Sequence, residues 1–201
     1  MKASSHSAWL VDLDGTLYAP TPVKLAMAAE LLLFGLSDLS SVRAFRKQHE
    51  ALREEGGEYS PSPYSEQLDR AAKSLGTSPD LLEPCIIKWM QERPCKWIRR
   101  SARQPLIAEL RAFRLNGGKT ALVSDYPGTR KLAALGLTKD FDVIVCNGEP
   151  NGPTRLKPAP DGYLLAAERL GIAPRDCLVI GDRDDADGEA ARRGKMDFRK
   201  V

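Results

Sequence analysis

Two aspartates one residue apart, Asp12 and Asp14, follow a short apolar run near the start of this chain. The run from Ala8 to Val11 precedes Gly15, a pattern that predicts a buried strand followed by a turn. Ligands of open α/β sheets bind at the carboxyl ends of strands, so both carboxylates are expected at such a place. They would repel each other unless a divalent cation compensated their charge, and one ionised carboxylate could then attack phosphorus as a nucleophile. The spacing therefore indicates phosphoryl chemistry.

Three later segments also place polar side chains near predicted strands and helices. Ser124 directly follows the predicted strand 120–123, and Lys157 stands before a proline, a few residues ahead of a predicted helix from Asp161 to Leu170. The segment after the predicted strand 178–180 holds four carboxylates in six residues, namely Asp182, Asp184, Asp185 and Asp187.

In this order the segments resemble the four motifs of the haloacid dehalogenase-like hydrolase superfamily, the first being Asp12-Leu13-Asp14-Gly15-Thr16-Leu17-Tyr18. The resemblance implies that Asp12 attacks phosphorus and forms an aspartyl-phosphate. Asp14 would protonate the leaving group and later activate water. Ser124 would hydrogen-bond the transferring phosphoryl group, and Lys157 would stabilise negative charge on the nucleophile and the phosphoryl oxygens.

The same resemblance implies a Mg²⁺ cofactor, because oxygen ligands and bound waters suit this ion. Asp12, the backbone carbonyl of Asp14 and Asp182 would hold it. Asp187 is the next candidate for supporting the metal, and Asp185 stays open as an alternative. Asp125 follows Ser124 where many relatives have asparagine, so the contacts just beyond Ser124 are also open.

The elements that must position these residues fall into two kinds. After the first strand the chain has a helical pattern for about eighty residues, whereas from Pro105 helices alternate with strands, as in right-handed βαβ units. We therefore expect an α/β fold: a Rossmann-like parallel sheet core over residues 1–18 and 104–201, with an inserted α-helical cap over residues 19–103. Within this cap, the run from Val23 to Phe34 is expected to form a buried helix.

A second cap helix is predicted from Ser41 to Glu55, with Val42, Phe45, His49 and Leu52 on one stripe. Its basic side chains fall mostly on other faces, and a solvated surface is a more common explanation for them than an anion site. These side chains are Arg43, Arg46, Lys47 and Arg53.

The composition narrows the class of protein. The formal net charge of +3 over 201 residues is too small to imply nucleic-acid binding. Four widely spaced cysteines without a CxxC pair suggest reduced thiols rather than a zinc site or disulfides. The apolar stretch near the N-terminus is too short for a signal peptide or a membrane span, so we expect a soluble, cytoplasmic protein without a membrane partner. The oligomeric state is not predicted.

A helical lid above the strand ends would exclude water and favour small phosphorylated metabolites as substrates. The sequence thus predicts a Mg²⁺-dependent phosphatase that hydrolyses a small phosphomonoester. A sugar-phosphate mutase with the same core, or a non-catalytic binding or regulatory module with the same fold, is the alternative. The dehalogenase branch is disfavoured because it has no need of Asp14 as an acid.

Overall fold

A computed structural model describes residues 6–201, so the first five residues of the predicted core lie outside the described residues. Within that range, five parallel strands form one sheet in the order β3-β2-β1-β4-β5. The predicted α/β fold with a parallel sheet is confirmed. The strands are β1 (Ala8–Asp12), β2 (Lys119–Ser124), β3 (Val143–Cys146), β4 (Cys177–Gly181) and β5 (Asp197–Lys200).

The central strand β1 is buried along its whole length, which explains its continuous apolar sequence. It lies between β2 and β4, with Asp12 opposite Val123 and with Val11 opposite Ile180. Because all three strands run in the same direction, the residues that follow them emerge at one edge of the sheet. This register brings together the residues of the first, second and fourth motifs, which follow β1, β2 and β4.

Helices cover both faces of the sheet. On one face the helix Gln104–Leu115 (α6) buries its apolar side, and its Phe113 stacks on Trp9 with ring centroids 4.3 Å apart. On the other face α8 packs through the fully buried Tyr163 and its neighbours. The helices that flank the sheet are α6 (Gln104–Leu115), α7 (Thr129–Leu135), α8 (Asp161–Leu170) and α9 (Glu189–Arg193).

The segment between β1 and β2 is helical, as predicted. Its two ends lie side by side: the Ala19 amide donates to the Ser101 carbonyl at 2.8 Å, and the Arg103 amide donates to the Leu17 carbonyl at 2.9 Å. The cap boundaries at residues 19 and 103 remain a prediction, with which these two hydrogen bonds agree. The cap helices are α1 (Pro20–Phe34), α2 (Leu39–Glu55), α3 (Pro63–Leu75), α4 (Pro79–Ile86) and α5 (Cys95–Arg100), with a π-helical segment at Ile87–Glu92.

The expectation that α1 is a buried helix was wrong. Leu25, Leu32, Leu33 and Phe34 are each at least 59% exposed. The helix is apolar on most sides, but the described part of the chain supplies neighbours for only some of them. No single described helix is both long and apolar enough to span a membrane; α1 and the segment Leu36–Glu55 pass that test of length and composition only as a pair bent by 111°.

Candidate active site

The turn after β1 presents Asp12 with both carboxylate oxygens engaged. The Lys157 ammonium donates to Oδ1 at 2.6 Å, and the Thr16 hydroxyl donates to Oδ2 at 2.9 Å. Gly15 allows this turn to form, because its φ is +97° and a Cβ there would lie 2.1 Å from Oδ2 of Asp182. The first and fourth motifs therefore approach each other more closely than any side chain at Gly15 would permit.

Lys157 lies at the centre of a buried charge network. Its ammonium is 2.6 Å from Asp12 and 2.8 Å from Asp187, and it also donates to the Val123 carbonyl at 3.2 Å. Burial alone would lower the pKa of Lys157, but the two carboxylates hold it well above its usual value. Tyr163 donates its hydroxyl proton to Oδ1 of Asp187 at 2.8 Å and fixes that carboxylate. Lys157 is therefore a permanent cation beside the predicted nucleophile.

Three of the predicted metal-site carboxylates form a cluster. Asp12, Asp182 and Asp187 each place one oxygen within 4.8 Å of the others. Burial raises the pKa of Asp12 to about 7 despite the opposing charge of Lys157, and the charge of Asp187 contributes to this rise. Burial, followed by the charge of Asp187, also raises the pKa of Asp182. The cluster thus carries negative charge that its own cations do not fully compensate, and a divalent cation fits there.

The carboxylates of this cluster differ in how free they are to bind a metal. Within residues 6–201, no other side chain donates a hydrogen bond to Asp182, whereas Asp187 already accepts from Lys157, Tyr163 and the Arg183 amide. Asp182 is thus the carboxylate of the cluster that is freest to bind a metal ion, whereas each oxygen of Asp12 already accepts one hydrogen bond and Asp187 is placed to hold Lys157. Asp185 is exposed, pairs with Arg183 and lies outside the cluster.

Asp14 faces a second lysine that sequence reasoning missed. Lys131 lies 2.7 Å from both oxygens of the Asp14 carboxylate, and Tyr18 donates its hydroxyl proton to the same group. Burial would raise the pKa of Asp14, but Lys131 and Tyr18 outweigh it and hold the pKa below its ordinary value. Glu149 accepts hydrogen bonds from the first amides of α7, including Thr129 at 2.8 Å, and so fixes the helix that carries Lys131.

The second motif connects the core to the cap. Ser124 is buried, and its hydroxyl accepts a hydrogen bond from the Tyr126 amide at 3.2 Å. Oδ1 of Asp125 accepts from the Lys157 amide at 3.3 Å, and its Oδ2 is 3.4 Å from the guanidinium of Arg53. Asp125, which stands where many relatives have asparagine, thus has a cationic partner in Arg53.

Arg53 does not belong to a solvated face, contrary to the expectation from the sequence. Its side chain is 14% exposed, and its Nε donates to the Lys157 carbonyl at 3.2 Å. The neighbouring His49 is also buried; it lies 3.3 Å from Gln67 and stacks on Tyr126 with ring centroids 4.2 Å apart. Helix α2 is therefore attached to the loops that follow β2 and precede α8.

A cavity of about 450 Å³ opens between this edge of the sheet and the cap helices. Six of the predicted catalytic and metal-site residues line it, on three different strand ends and the loop before α8. They are Asp12, Asp14, Ser124, Lys157, Asp182 and Asp187.

A family model described as a haloacid dehalogenase-like hydrolase matches residues 7–195. The chain belongs to the haloacid dehalogenase-like hydrolases. This membership confirms the predicted family and makes the protein an enzyme of the hydrolase class. All six of the cavity-lining residues fall within the matched range.

Individual relatives and solved structures agree with the family. A glyceraldehyde 3-phosphate phosphatase from Methanopyrus kandleri is 28% identical over 94% of this chain and 81% of its own length. A β-phosphoglucomutase from Clostridium difficile shares the fold with a TM-score of 0.61, 19% identity and coverage of 98% of this chain and 84% of that one. A magnesium-bound hydrolase of this family from Bacillus subtilis has a TM-score of 0.63 at 16% identity, with coverage of 98% and 88%. These structural similarities show the fold.

Proposed function

We propose that this hydrolase is a Mg²⁺-dependent phosphatase that cleaves a small phosphomonoester through a phosphorylated Asp12. One observation carries the proposal: a buried carboxylate, held by Lys157 and Thr16, lies beside the free carboxylate of Asp182 and lines the cavity between the sheet edge and the cap helices. Relatives whose names include phosphatase support the same reaction class.

In the first step, an oxygen of Asp12 forms a bond to phosphorus while the bond from phosphorus to the ester oxygen breaks. Asp14 donates a proton to that leaving oxygen in the fraction of the enzyme in which this carboxyl is protonated, so the product is a neutral alcohol. In the second step, Asp14 takes a proton from water as the water oxygen attacks phosphorus, and the Asp12 carboxylate is released with inorganic phosphate. Lys131 favours the ionised form of Asp14, which is the form that accepts the proton in this second step.

The cations of the chain stabilise charge around the phosphoryl group. The Lys157 ammonium keeps the nucleophile oriented and remains charged because Asp187 pairs with it as well. When bound by Asp12 and Asp182, Mg²⁺ would neutralise phosphoryl oxygens and lower the repulsion between the phosphate and the carboxylates. Ser124, at the end of the neighbouring strand β2, offers a buried hydroxyl for a further hydrogen bond to the phosphoryl group.

The proposal is tested by phosphate release from an aryl phosphate, with Mg²⁺ and with EDTA. We expect release by the wild type with Mg²⁺ only, and loss of release in Asp12→Asn. Asp185→Asn is the matched control, because this exposed aspartate lies between Asp182 and Asp187 in the sequence but outside the carboxylate cluster. Equal, background-level release by the wild type and Asp12→Asn would overturn the proposal.

The same assay separates the two alternatives. With a sugar 1-phosphate, a mutase yields the isomeric sugar phosphate and little free phosphate. A non-catalytic module binds Mg²⁺, as measured by calorimetry, but turns over no member of a broad panel of phosphate esters.

A further inference from the structure

The cap side of the cavity has an apolar wall. Val23, Met27 and Leu31 recur every four residues along α1 and therefore share one face of that helix, which lines the cavity. Lys24, an exposed cation of the same helix, lines the cavity beside this face. Trp89, from the π-helical segment at Ile87–Glu92, is 3% exposed and lines the same space. Its indole nitrogen donates to Asp38 at 2.6 Å, so the ring edge that could bind a polar ligand is already occupied.

The helix α2 supplies cations to the same cavity. Arg43, Arg46 and Arg53 all line it and are spaced for one side of the helix. Arg53 is bound to Asp125 and the carbonyl of Lys157 at the catalytic end. Within residues 6–201, by contrast, neither Arg43 nor Arg46 forms an ion pair or a hydrogen bond, and both are exposed.

The separation between these cations follows from helix geometry. Arg46 is seven residues before Arg53, so at 1.5 Å per residue it lies about 10 Å further along the helix axis, and Arg43 lies beyond it. Glu50, the acidic residue between them that also lines the cavity, is 3.4 Å from Arg53. The two unpaired guanidinium groups thus belong to turns of α2 that precede the turn whose Arg53 contacts the Lys157 loop.

This distribution of charge and apolar surface disfavours a polyhydroxylated substrate. Sugar hydroxyl groups placed against Val23, Met27 and Leu31 would lose hydrogen bonds to water without gaining partners. An apolar body loses nothing there, and a second negative charge carried by it would pair with free guanidinium groups.

We propose that the substrate is a phosphomonoester with an apolar organic body and a second anionic group, such as a carboxylate, carried by that body. This inference rests on the proposed phosphatase activity. The catalytic end takes the phosphate, the face of α1 around Met27 takes the apolar body, and Arg43 and Arg46 take the second anion.

Three synthetic probes test the inference with the wild-type protein and Mg²⁺. The first is 3-(4-phosphonooxyphenyl)propanoate, the second is its primary amide, and the third is glycerol 3-phosphate. The acid and the amide differ only in the remote charge, whereas glycerol 3-phosphate lacks both the apolar body and that charge. We expect kcat/KM to be about tenfold higher for the acid than for the amide, as for a charge-assisted hydrogen bond. Glycerol 3-phosphate should be the poorest substrate.

Paired variants connect this selectivity to residues. Arg43→Gln with Arg46→Gln should reduce the acid-to-amide ratio to about one, mainly through KM. Lys47→Gln, which removes an exposed cation from the same helix outside the cavity, should leave the ratio unchanged. Leu31→Asn should reduce the preference for the amide over glycerol 3-phosphate, and Leu32→Asn, one residue away on the exposed face, should preserve it.

The outcomes distinguish the two proposals. Phosphate release from all three probes with equal acid and amide values, or with glycerol 3-phosphate preferred, overturns the substrate class and leaves the phosphatase proposal intact. An acid preference that persists in the double arginine variant overturns the assignment to Arg43 and Arg46. Background-level release from every probe by the wild type, equal to that of Asp12→Asn, overturns both proposals.

Discussion

Replacing Asp12 by asparagine should stabilise the metal-free protein while removing its proposed activity. Burial raises the pKa of Asp12 from 3.8 to about 7, so folding opposes ionisation of this carboxyl. A carboxyl whose pKa is higher in the folded than in the unfolded protein lowers the free energy of unfolding as the pH rises above its pKa in the unfolded state. This loss of stability is complete once the pH exceeds its pKa in the folded state. Asparagine carries no charge, and its amide can still accept from Lys157 and donate to Thr16.

The size of the effect follows from the pKa shift. A rise from 3.8 to about 7 corresponds to about 4 kcal/mol at about 1.4 kcal/mol per pKa unit, which is an upper value. In the variant Lys157 loses one of its two carboxylate partners and keeps Asp187 at 2.8 Å, which removes part of the gain. We therefore expect a net stabilisation of about 2 kcal/mol, or about 4 to 8 °C in melting temperature.

Thermal unfolding in EDTA measures this difference. The stabilisation of Asp12→Asn relative to the wild type should be complete at about pH 8. It should be less than half as large at about pH 5, because Asp12 is then mostly protonated in the folded wild type and its burial costs less. Millimolar Mg²⁺ should reduce it, because the ion stabilises the wild type by binding its carboxylate. The control Asp185→Asn should change stability by no more than about 0.5 kcal/mol. An Asp12→Asn variant that melts at or below the wild type at about pH 8 in EDTA would refute the reasoning.

Three further substitutions have definite expected outcomes. Gly15→Ala should cost about 2 kcal/mol, because Gly15 has a φ of +97°, and should abolish phosphate release, because the new Cβ would displace the Asp182 carboxylate from 2.1 Å away. Gly76→Ala, at φ +66° with nothing within 4 Å, should cost about 1 kcal/mol, and chemical denaturation compares the two variants. Lys131→Met should raise the pKa of Asp14. The alkaline limb of the pH profile of kcat/KM for an alkyl phosphate should then move to higher pH, and an unmoved profile would contradict the role of Lys131 in setting that pKa. Tyr163→Phe should lower kcat about tenfold with KM unchanged, and an unaltered kcat in steady-state assays would argue against a positioning role.

The sheet and the edge that carries the site could be predicted from the sequence. Apolar runs ending in polar residues are read directly as buried parallel strands, and the order of Asp12, Ser124, Lys157 and Asp182 then brings them to one edge. The helix from Asp161 to Leu170 has the predicted bounds. These features depend on local pattern and on the rule that parallel strands share a direction.

The remaining parts of the site depend on contacts between distant segments. Lys131 and Arg53 occur in ordinary amphipathic helices, and nothing in their local sequence shows that α7 and α2 direct them to Asp14 and Asp125. The exposed face of α1 is a different case. The apolar sequence of this helix predicts that its side chains are buried, but it does not show whether the described part of the chain supplies neighbours to cover them. Arg53 stands next to Leu52 of the predicted apolar stripe, which suggests partial burial but does not identify Asp125 as its partner.

The contact of Arg53 with the carbonyl of Lys157 has a consequence for turnover. If α2 moved away from the sheet edge, this guanidinium would leave the loop whose ammonium contacts the nucleophile, and its ion pair with Asp125 would break as well. Widening the cavity on that side is therefore coupled to the loss of one support of the Lys157 loop.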